Sequence, residues 1–411
     1  MKAMNNSSFS LRNTGPGLVI AATGLGAGDL IAASVAGARF GTTILWVAVL
    51  GAAMKYVINE GLTRWQLATG TTLLEGWVQR LPKFISIYFL IYLVLWSFIV
   101  AGALIAGTGL AAHALYPEIS VTRWGIMHSL LALALVLTGR YALLEYLMKF
   151  FMGVMLVVVI TCAILVAPDL SGIISGLLLP SVPDGSVIFI VSVIGGVGGS
   201  VTLLCYGYWI RERDWKSPQD LPRSRMDLAV AYALTGLFGI AIMIVSAGVS
   251  PDVITGPDMV LGVASQLEAV VGPYGKLCFL VGFWSAVFSS MLGVWQGVPY
   301  LFADFVQQYT YRPEQPSRIN TRSPAYRVYL VYLALPPMLL LQADEPVWLV
   351  VFYAITGAFF MPVLCGLLLL MNNRRAWLGD LKNGLLTNIA LLGSVLVFVL
   401  LLYTEIVKQL D

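Results

Sequence analysis

From residue 16 almost to residue 404 the chain is a succession of apolar runs separated by short polar interruptions. Each run approaches the roughly 20 residues a helix needs to cross a hydrocarbon core about 30 Å thick. That repetition leaves no room for a soluble domain between the runs. Charge agrees: Asp, Glu, Lys and Arg make up 11% of the 411 residues, against about 25% in an ordinary soluble domain. The chain therefore reads as an all-α integral membrane protein, with the lipid bilayer as its first partner.

Breaking the runs at charged or Pro/Gly-rich clusters predicts eleven helices, at 16–40, 43–67, 84–112, 122–139, 143–167, 186–210, 227–249, 275–308, 325–342, 346–371 and 384–404. The basic residues test that count, because cytoplasmic loops are rich in Lys and Arg. Lys2 and Arg12 precede the first helix, and Arg64, Arg80 and Lys83 lie between the second and third. Arg140 and Lys149 flank the 4–5 turn, and Arg211, Arg213, Lys216, Arg223 and Arg225 fill the 6–7 loop. Arg312, Arg318, Arg322 and Arg327 occupy the 8–9 loop, and Arg374, Arg375 and Lys382 the 10–11 loop. The opposite loops carry Asp169, Asp184, Asp252, Asp258, Asp344 and Glu345. The expected topology has the N-terminus in the cytoplasm and the C-terminus outside, in a bacterial-type inner membrane. The net charge of +3 then reflects topology and implies no nucleic-acid partner. MKAMNNSSFSLRN shows no removable signal peptide. Cys162, Cys205, Cys278 and Cys365 lie in apolar runs without CxxC spacing, which argues against disulfides and zinc. Nothing implies a cofactor.

Eleven helices suit two five-helix halves of opposite orientation and one extra helix: a tail at 1–14, repeats at 15–183 and 184–371, and the eleventh helix with the C-terminus at 372–411. The first and sixth helices are both interrupted by glycine, in TGLGAGDL at 23–30 and GGVGGSVTLLCYGYW at 195–209. Paired interrupted helices at matching places in two halves point to a transporter's central binding site. The alternative is close helix packing, since the Gly24 to Gly28 spacing lets helices approach without a ligand.

The stretches GPGLVIA (15–21), AGARFGTTILWV (36–47), GRYALLEYLMKF (139–150), GLLLPSVP (176–183), RSRMDLAVA (223–231) and MPVLCGLLLLMNNRRAWLG (361–379) resemble the natural-resistance-associated macrophage protein (NRAMP) family. That resemblance covers nearly the whole chain and implies a LeuT-type fold and proton-coupled transport of transition metals. The family's metal-binding residues are rewritten here. Gly26, Ala27, Gly28 and Asp29 stand where the family has Asp-Pro-Gly-Asn. Thr202, Leu203 and Leu204 replace Met-Pro-His, Gly199 takes the place of the small residue before it, and Ala354, beside Tyr353, falls where the tenth helix carries glutamine.

Sulfur ligands favour softer divalent ions, whereas carboxylate, hydroxyl and carbonyl oxygens suit Mg²⁺, Ca²⁺ or Mn²⁺. Losing the methionine argues against tight Fe²⁺ or Mn²⁺ selection. What remains is oxygen: Asp29, Thr202, and the carbonyls that unwinding frees near Gly26 and Gly199. Asp29 and Thr202 are thus the candidate metal ligands. Ala27 lines the same segment, and Tyr206, Tyr208 and Tyr353 are candidates to line the pathway, with a helix face against other helices as the plainer alternative.

Lys55 complicates the metal reading. At about 1.5 Å per residue it lies roughly 18 Å into the second helix, and Asp29 lies about 20 Å from the opposite side, so the two charges share a level. Glu60 is the other candidate counter-charge, although a spacing of five turns it off the face of Lys55. An Asp29–Lys55 pair makes the site nearly neutral, a poor home for a bare divalent ion. It suits a lysine replacing a coupling cation, or an anionic or zwitterionic solute. A purely structural ion pair is the plainest alternative.

Other residues take blander expectations. His113 and His128 form no ligand set, Glu145 pairs with Arg140 or Lys149, and Trp46, Trp65, Trp124, Trp348 and Tyr403 anchor helix ends at the interface. The leading expectation is a secondary transporter of a hard divalent cation, Mg²⁺ or Mn²⁺ rather than Fe²⁺, with possible proton coupling. A carrier of a small organic or anionic solute is the first alternative, and a non-transporting scaffold or sensor the second.

Overall fold

The computed structural model describes residues 15–167, 169–196, 198–249, 259–310, 319–343 and 346–410. The N-terminal tail, Asp252, Asp258, Arg312, Arg318, Asp344 and Glu345 lie outside the described residues, as do the side chains of Ala27, Gly28, Asp29, Trp348 and Ala354.

All eleven expected segments are helical. The first is split into α1 (Pro16–Gly24) and α2 (Ala27–Phe40). Pro16 sits in the first turn of α1, where its fixed φ favours the helix and its missing N–H costs nothing. Gly26 is extended (φ −101°, ψ −167°), which breaks the ladder between the halves. Then follow α3 (Trp46–Thr69), α4 (Leu73–Arg80), α5 (Lys83–Leu115), α6 (Val121–Leu137), α7 (Tyr141–Val166) and α8 (Leu170–Leu178). The sixth segment is α9 (Val187–Gly196), a 3₁₀ turn over Val201–Cys205, and α10 (Tyr206–Glu212). The rest of the chain forms α11 (Leu221–Ser246), α12 (Met259–Val271), α13 (Pro273–Thr310), α14 (Pro324–Ala334), a 3₁₀ segment Pro336–Ala343, α15 (Pro346–Asn372), α16 (Arg375–Leu378) and α17 (Leu385–Leu410).

Six of these segments are individually long and apolar enough to cross a bilayer: α5, α7, the span from α9 to α10, α11, α13, and α14 with its 3₁₀ extension. The second segment, α3, fails that test because Lys55, Asn59, Glu60 and Arg64 lie along it, all buried against other helices. Four short helices, α4, α8, α12 and α16, were not expected. In α4 a capping box fixes the start: the Thr72 side chain accepts from the Glu75 amide, and Glu75 accepts from the Thr72 amide. In α8 the Asp169 carboxylate accepts from the amides of Ser171 and Gly172. The Ser171 hydroxyl, which also donates to it, and then those amide bonds hold the Asp169 carboxyl below its usual range.

The layout puts α1, α9 and α13 near the middle. Helix α13 packs on α7, α5 and α1, and α11 on α3, α2, α7 and α1. Leucine, isoleucine and valine face outward on α7 and α17, including Val157, Ile164, Leu396 and Leu400, which is the lipid-facing belt such a bundle requires. Trp65 departs from expectation. It is fully buried, donates from Nε1 to the Thr72 carbonyl at 3.3 Å and meets Trp377 edge-on, so it is a core residue rather than an interfacial anchor.

Candidate functional site

The two interruptions touch. A Cβ added to Gly24 would lie 2.7 Å from the Gly198 carbonyl carbon and 2.9 Å from its Cα, so only a glycine lets the end of α1 approach the sixth segment's backbone. Gly198 and Gly199 hold φ of +80° and +81°, a left-handed conformation that side chains other than glycine's rarely adopt. Serines of α13 brace the first break: Ser290 Oγ donates to the Thr23 carbonyl at 2.7 Å and Ser289 Oγ to Ala22 at 3.4 Å. A Cβ on Gly26 would reach within 2.5 Å of Ser290 Oγ.

Both carbonyls singled out from sequence are engaged by the protein itself. The Gly26 carbonyl accepts the Leu30 amide at 3.2 Å, starting α2. The Gly199 carbonyl accepts a hydrogen bond from Lys55 Nζ, which also donates to the Gly195 carbonyl at 3.0 Å. Lys55 is fully buried. Its ammonium therefore lies on the unwound main chain of the sixth segment, at the carbonyl end of α9, where the helix dipole is negative.

Three polar side chains around this break are buried, and their polar atoms have no hydrogen-bond partner among the described residues: Trp96 Nε1, Ser200 Oγ and Thr202 Oγ1. Ser200 Oγ and Trp96 Nε1 both approach Gly357 of α15, lying 2.8 Å and 3.9 Å from where a Cβ there would sit. Thr202 Oγ1 is 2.3 Å from the corresponding point on Gly199. Tyr353 is half-buried with its ring centroid 6.5 Å from that of Trp96. Tyr206 is not at the break's polar surface. Its hydroxyl donates to Asp227 Oδ2 at 2.9 Å.

Glu60 is not the counter-charge of Lys55. It accepts from Arg225 at 2.7 Å and 2.9 Å and pairs with Arg64 at 3.2 Å, as its place off the Lys55 face requires. Glu145 pairs with Lys149 at 2.6 Å, one of its two expected partners, and also with Arg213. His128 is structural: Trp284 donates to its Nε2 at 2.9 Å, which leaves Nδ1 to donate to the Trp124 carbonyl at 2.8 Å.

Sequence reasoning missed the polar layer at the arginine-rich end of the bundle. Asp227 of α11 accepts from the Gly17 amide at 2.6 Å, which ties it to the start of α1. Asp304 of α13 accepts from Tyr208 at 2.6 Å and Thr72 at 3.0 Å. Arg211 of α10 grips Glu75 of α4 through two bonds, at 2.6 Å and 3.0 Å. The available signal was a carboxylate inside an otherwise apolar helix, which is costly in a bilayer and marks function or pairing. Among the described residues no group of three or more His, Cys, Asp or Glu side chains is arranged to hold a metal ion.

Two spans broken at mid-course and meeting at their breaks, inside an all-helical bundle, are the architecture of the LeuT-type fold. The comparisons place it more closely. The family described as natural resistance-associated macrophage protein-like matches residues 17–408, and the chain belongs to that family of membrane transporters. A protein of Chromohalobacter salexigens named divalent metal cation transporter MntH is 25% identical over 305 residues, 68% of each chain. A mutant of the Eremococcus coleocola manganese transporter superposes with a TM-score of 0.80 at 16% identity, over 100% of this chain and 89% of the other. A nucleobase-cation-symport-1 family transporter, solved closed with bromovinylhydantoin bound, gives 0.61 at 15% identity, over 95% and 92%. At such identities the two structures speak for the fold alone.

Proposed function

We propose that the chain moves its passenger by alternating access between the broken first and sixth spans, and that the passenger is a hard divalent cation, Mg²⁺ or Mn²⁺ rather than Fe²⁺. The observation that carries the first part is the contact of Gly24 with Gly198, where two unwound segments meet in the interior. Family membership, with a relative named for divalent metal transport, supports the second. The hydroxyls near the break belong to Thr202 and Ser200, and Asp29 supplies the carboxylate. Oxygen donors of this kind suit hard ions, and a partly hydrated Mg²⁺ needs only one or two carboxylates. Proton coupling and a cytoplasmic arginine-rich end complete the reading.

Uptake into proteoliposomes tests it. Mn²⁺ or Mg²⁺ should enter down an imposed gradient, and Asp29→Ala should cut the rate by at least about tenfold, equivalent to some 1.4 kcal/mol of lost interaction. Calorimetry silent for both ions, with no uptake, would remove the metal.

A second reading is favoured by a specific set of atoms. The Lys55 ammonium already occupies two of the sixth span's carbonyls, and the Trp96 N–H, which has no hydrogen-bond partner among the described residues, can only donate. Such donors bind acceptors, so a small organic or anionic solute fits them better than a metal does. A thermal-shift screen across small carboxylates and divalent salts in parallel separates the two passengers. A scaffold would respond to neither.

A further inference from the structure

We propose that the Lys55 ammonium is a tethered cation: it fills a monovalent-cation position formed by the Gly195 and Gly199 carbonyls and thereby holds the sixth span's break without a diffusible ion. This goes beyond the identity of the passenger and stands under either reading of it.

The position is built by the main chain. Gly195 belongs to the last turn of α9, whose carbonyls lack intrahelical partners. The Gly199 amide takes up the Gly196 carbonyl at 3.0 Å. With both Gly198 and Gly199 left-handed, the chain turns so that the Gly195 and Gly199 carbonyls both reach Lys55 Nζ. Two carbonyl oxygens at the negative end of a half-helix attract a monovalent cation, and carriers use carbonyls of this kind to coordinate Na⁺.

The side chain is placed for that role. Lys55 comes from α3, and a Cβ on Gly198 would lie 3.7 Å from Lys55 Cβ and 2.8 Å from Tyr232 Cε1 of α11. One turn along α3, Asn59 Nδ2 donates to the Tyr232 hydroxyl at 3.0 Å. The lysine stem is thus packed, and the residue is fully buried. A lysine with a free choice would carry its ammonium to water. Here the ammonium stays inside, where main-chain oxygens replace its hydration. Covalent attachment to α3 makes Lys55 a positioning residue, fixing where α9 ends relative to the turn at Gly198.

The test removes the side chain and offers a free ion. Lys55→Ala opens a space lined by the two carbonyls, whereas Lys55→Met fills the space without charge. In choline chloride, Lys55→Ala should melt at least about 5 °C below the wild-type chain, a shift typical of losing a well-made interaction. Na⁺, ammonium or methylammonium at equal ionic strength should restore at least half of that loss, as a ligand binding only the folded state does. Wild type and Lys55→Met should not respond. Wild-type melting of Lys55→Ala in choline, or an equal deficit in all the salts, overturns the proposal. If Lys55→Ala is recovered folded only when one of those cations is present throughout purification, the proposal stands. If it is lost with each of them as without, it fails.

Discussion

Arg211→Ala should destabilise the protein by about 3–5 kcal/mol, the cost of leaving a buried carboxylate without its cation. Arg211 makes two bonds to Glu75 and a third, at 3.2 Å, to the Gly70 carbonyl. The Glu75 side chain is 2% exposed and that of Arg211 11%, so water replaces little of what is lost. Glu75 also accepts the Thr72 amide at 2.6 Å, and Thr72 Oγ1 donates to Asp304. Removing the guanidinium therefore leaves two carboxylates in one buried network with hydroxyl and amide donors alone. Lys216→Ala is the control. Its pair with Asp214 spans 2.8 Å, but both side chains are about two-thirds exposed, and such pairs contribute about 0–1 kcal/mol. Unfolding in detergent, followed by tryptophan fluorescence, should separate the two variants clearly. Equal midpoints would mean that the α4–α10 lock contributes nothing. The lock also has a functional reading, because α10 is the second half of the broken sixth span and must move if that span rocks.

Gly24→Ala should abolish most transport while the chain still folds. Its added carbon would meet the Gly198 backbone at 2.7–3.0 Å, and backbone cannot turn aside as a side-chain tip can. Overpacking of this kind costs about 1–3 kcal/mol. A strain of about 1.4 kcal/mol falling on one of the two access states already changes their ratio tenfold. Uptake should drop by about tenfold or more. Gly153→Ala in α7 is the matched control, because a Cβ there meets nothing within 4 Å, and it should transport normally. If both variants carried solute equally fast, the close contact of the two breaks would be incidental.

Much of this architecture is legible in the letters. The eleven apolar runs and the two glycine interruptions follow from hydropathy and from the cost of glycine in a helix. The burial of Lys55 follows from its place midway along an apolar run. Its acceptors do not, because a main-chain carbonyl released by unwinding carries no letter of its own, and the search for a counter-charge turned to Asp29 and Glu60. Glu60 answers to Arg64 and Arg225, and the Asp29 side chain lies outside the described residues. Asp227 and Asp304 passed unread because each lies within a long apolar segment close to a basic loop, where a charge looks solvated. Their partners, the Gly17 amide, Tyr206, Tyr208 and Thr72, come from distant elements. The short helix α4 was readable after all: Thr72 and Glu75 have the spacing of a capping box, hidden by its position between two much stronger apolar signals.

The central claim is that the break at residues 198–200 is reached by water and solute from each side of the membrane in turn. A single cysteine at Ser200 tests it most directly, in a chain whose own Cys162, Cys205, Cys278 and Cys365 have been changed to alanine. Reconstituted in liposomes and treated with an impermeant thiol reagent from one side at a time, Ser200→Cys should be modified from both sides. Mn²⁺, or whichever solute shifts the melting temperature, should slow that reaction. Modification from one side only, or from neither under any solute condition, contradicts the account.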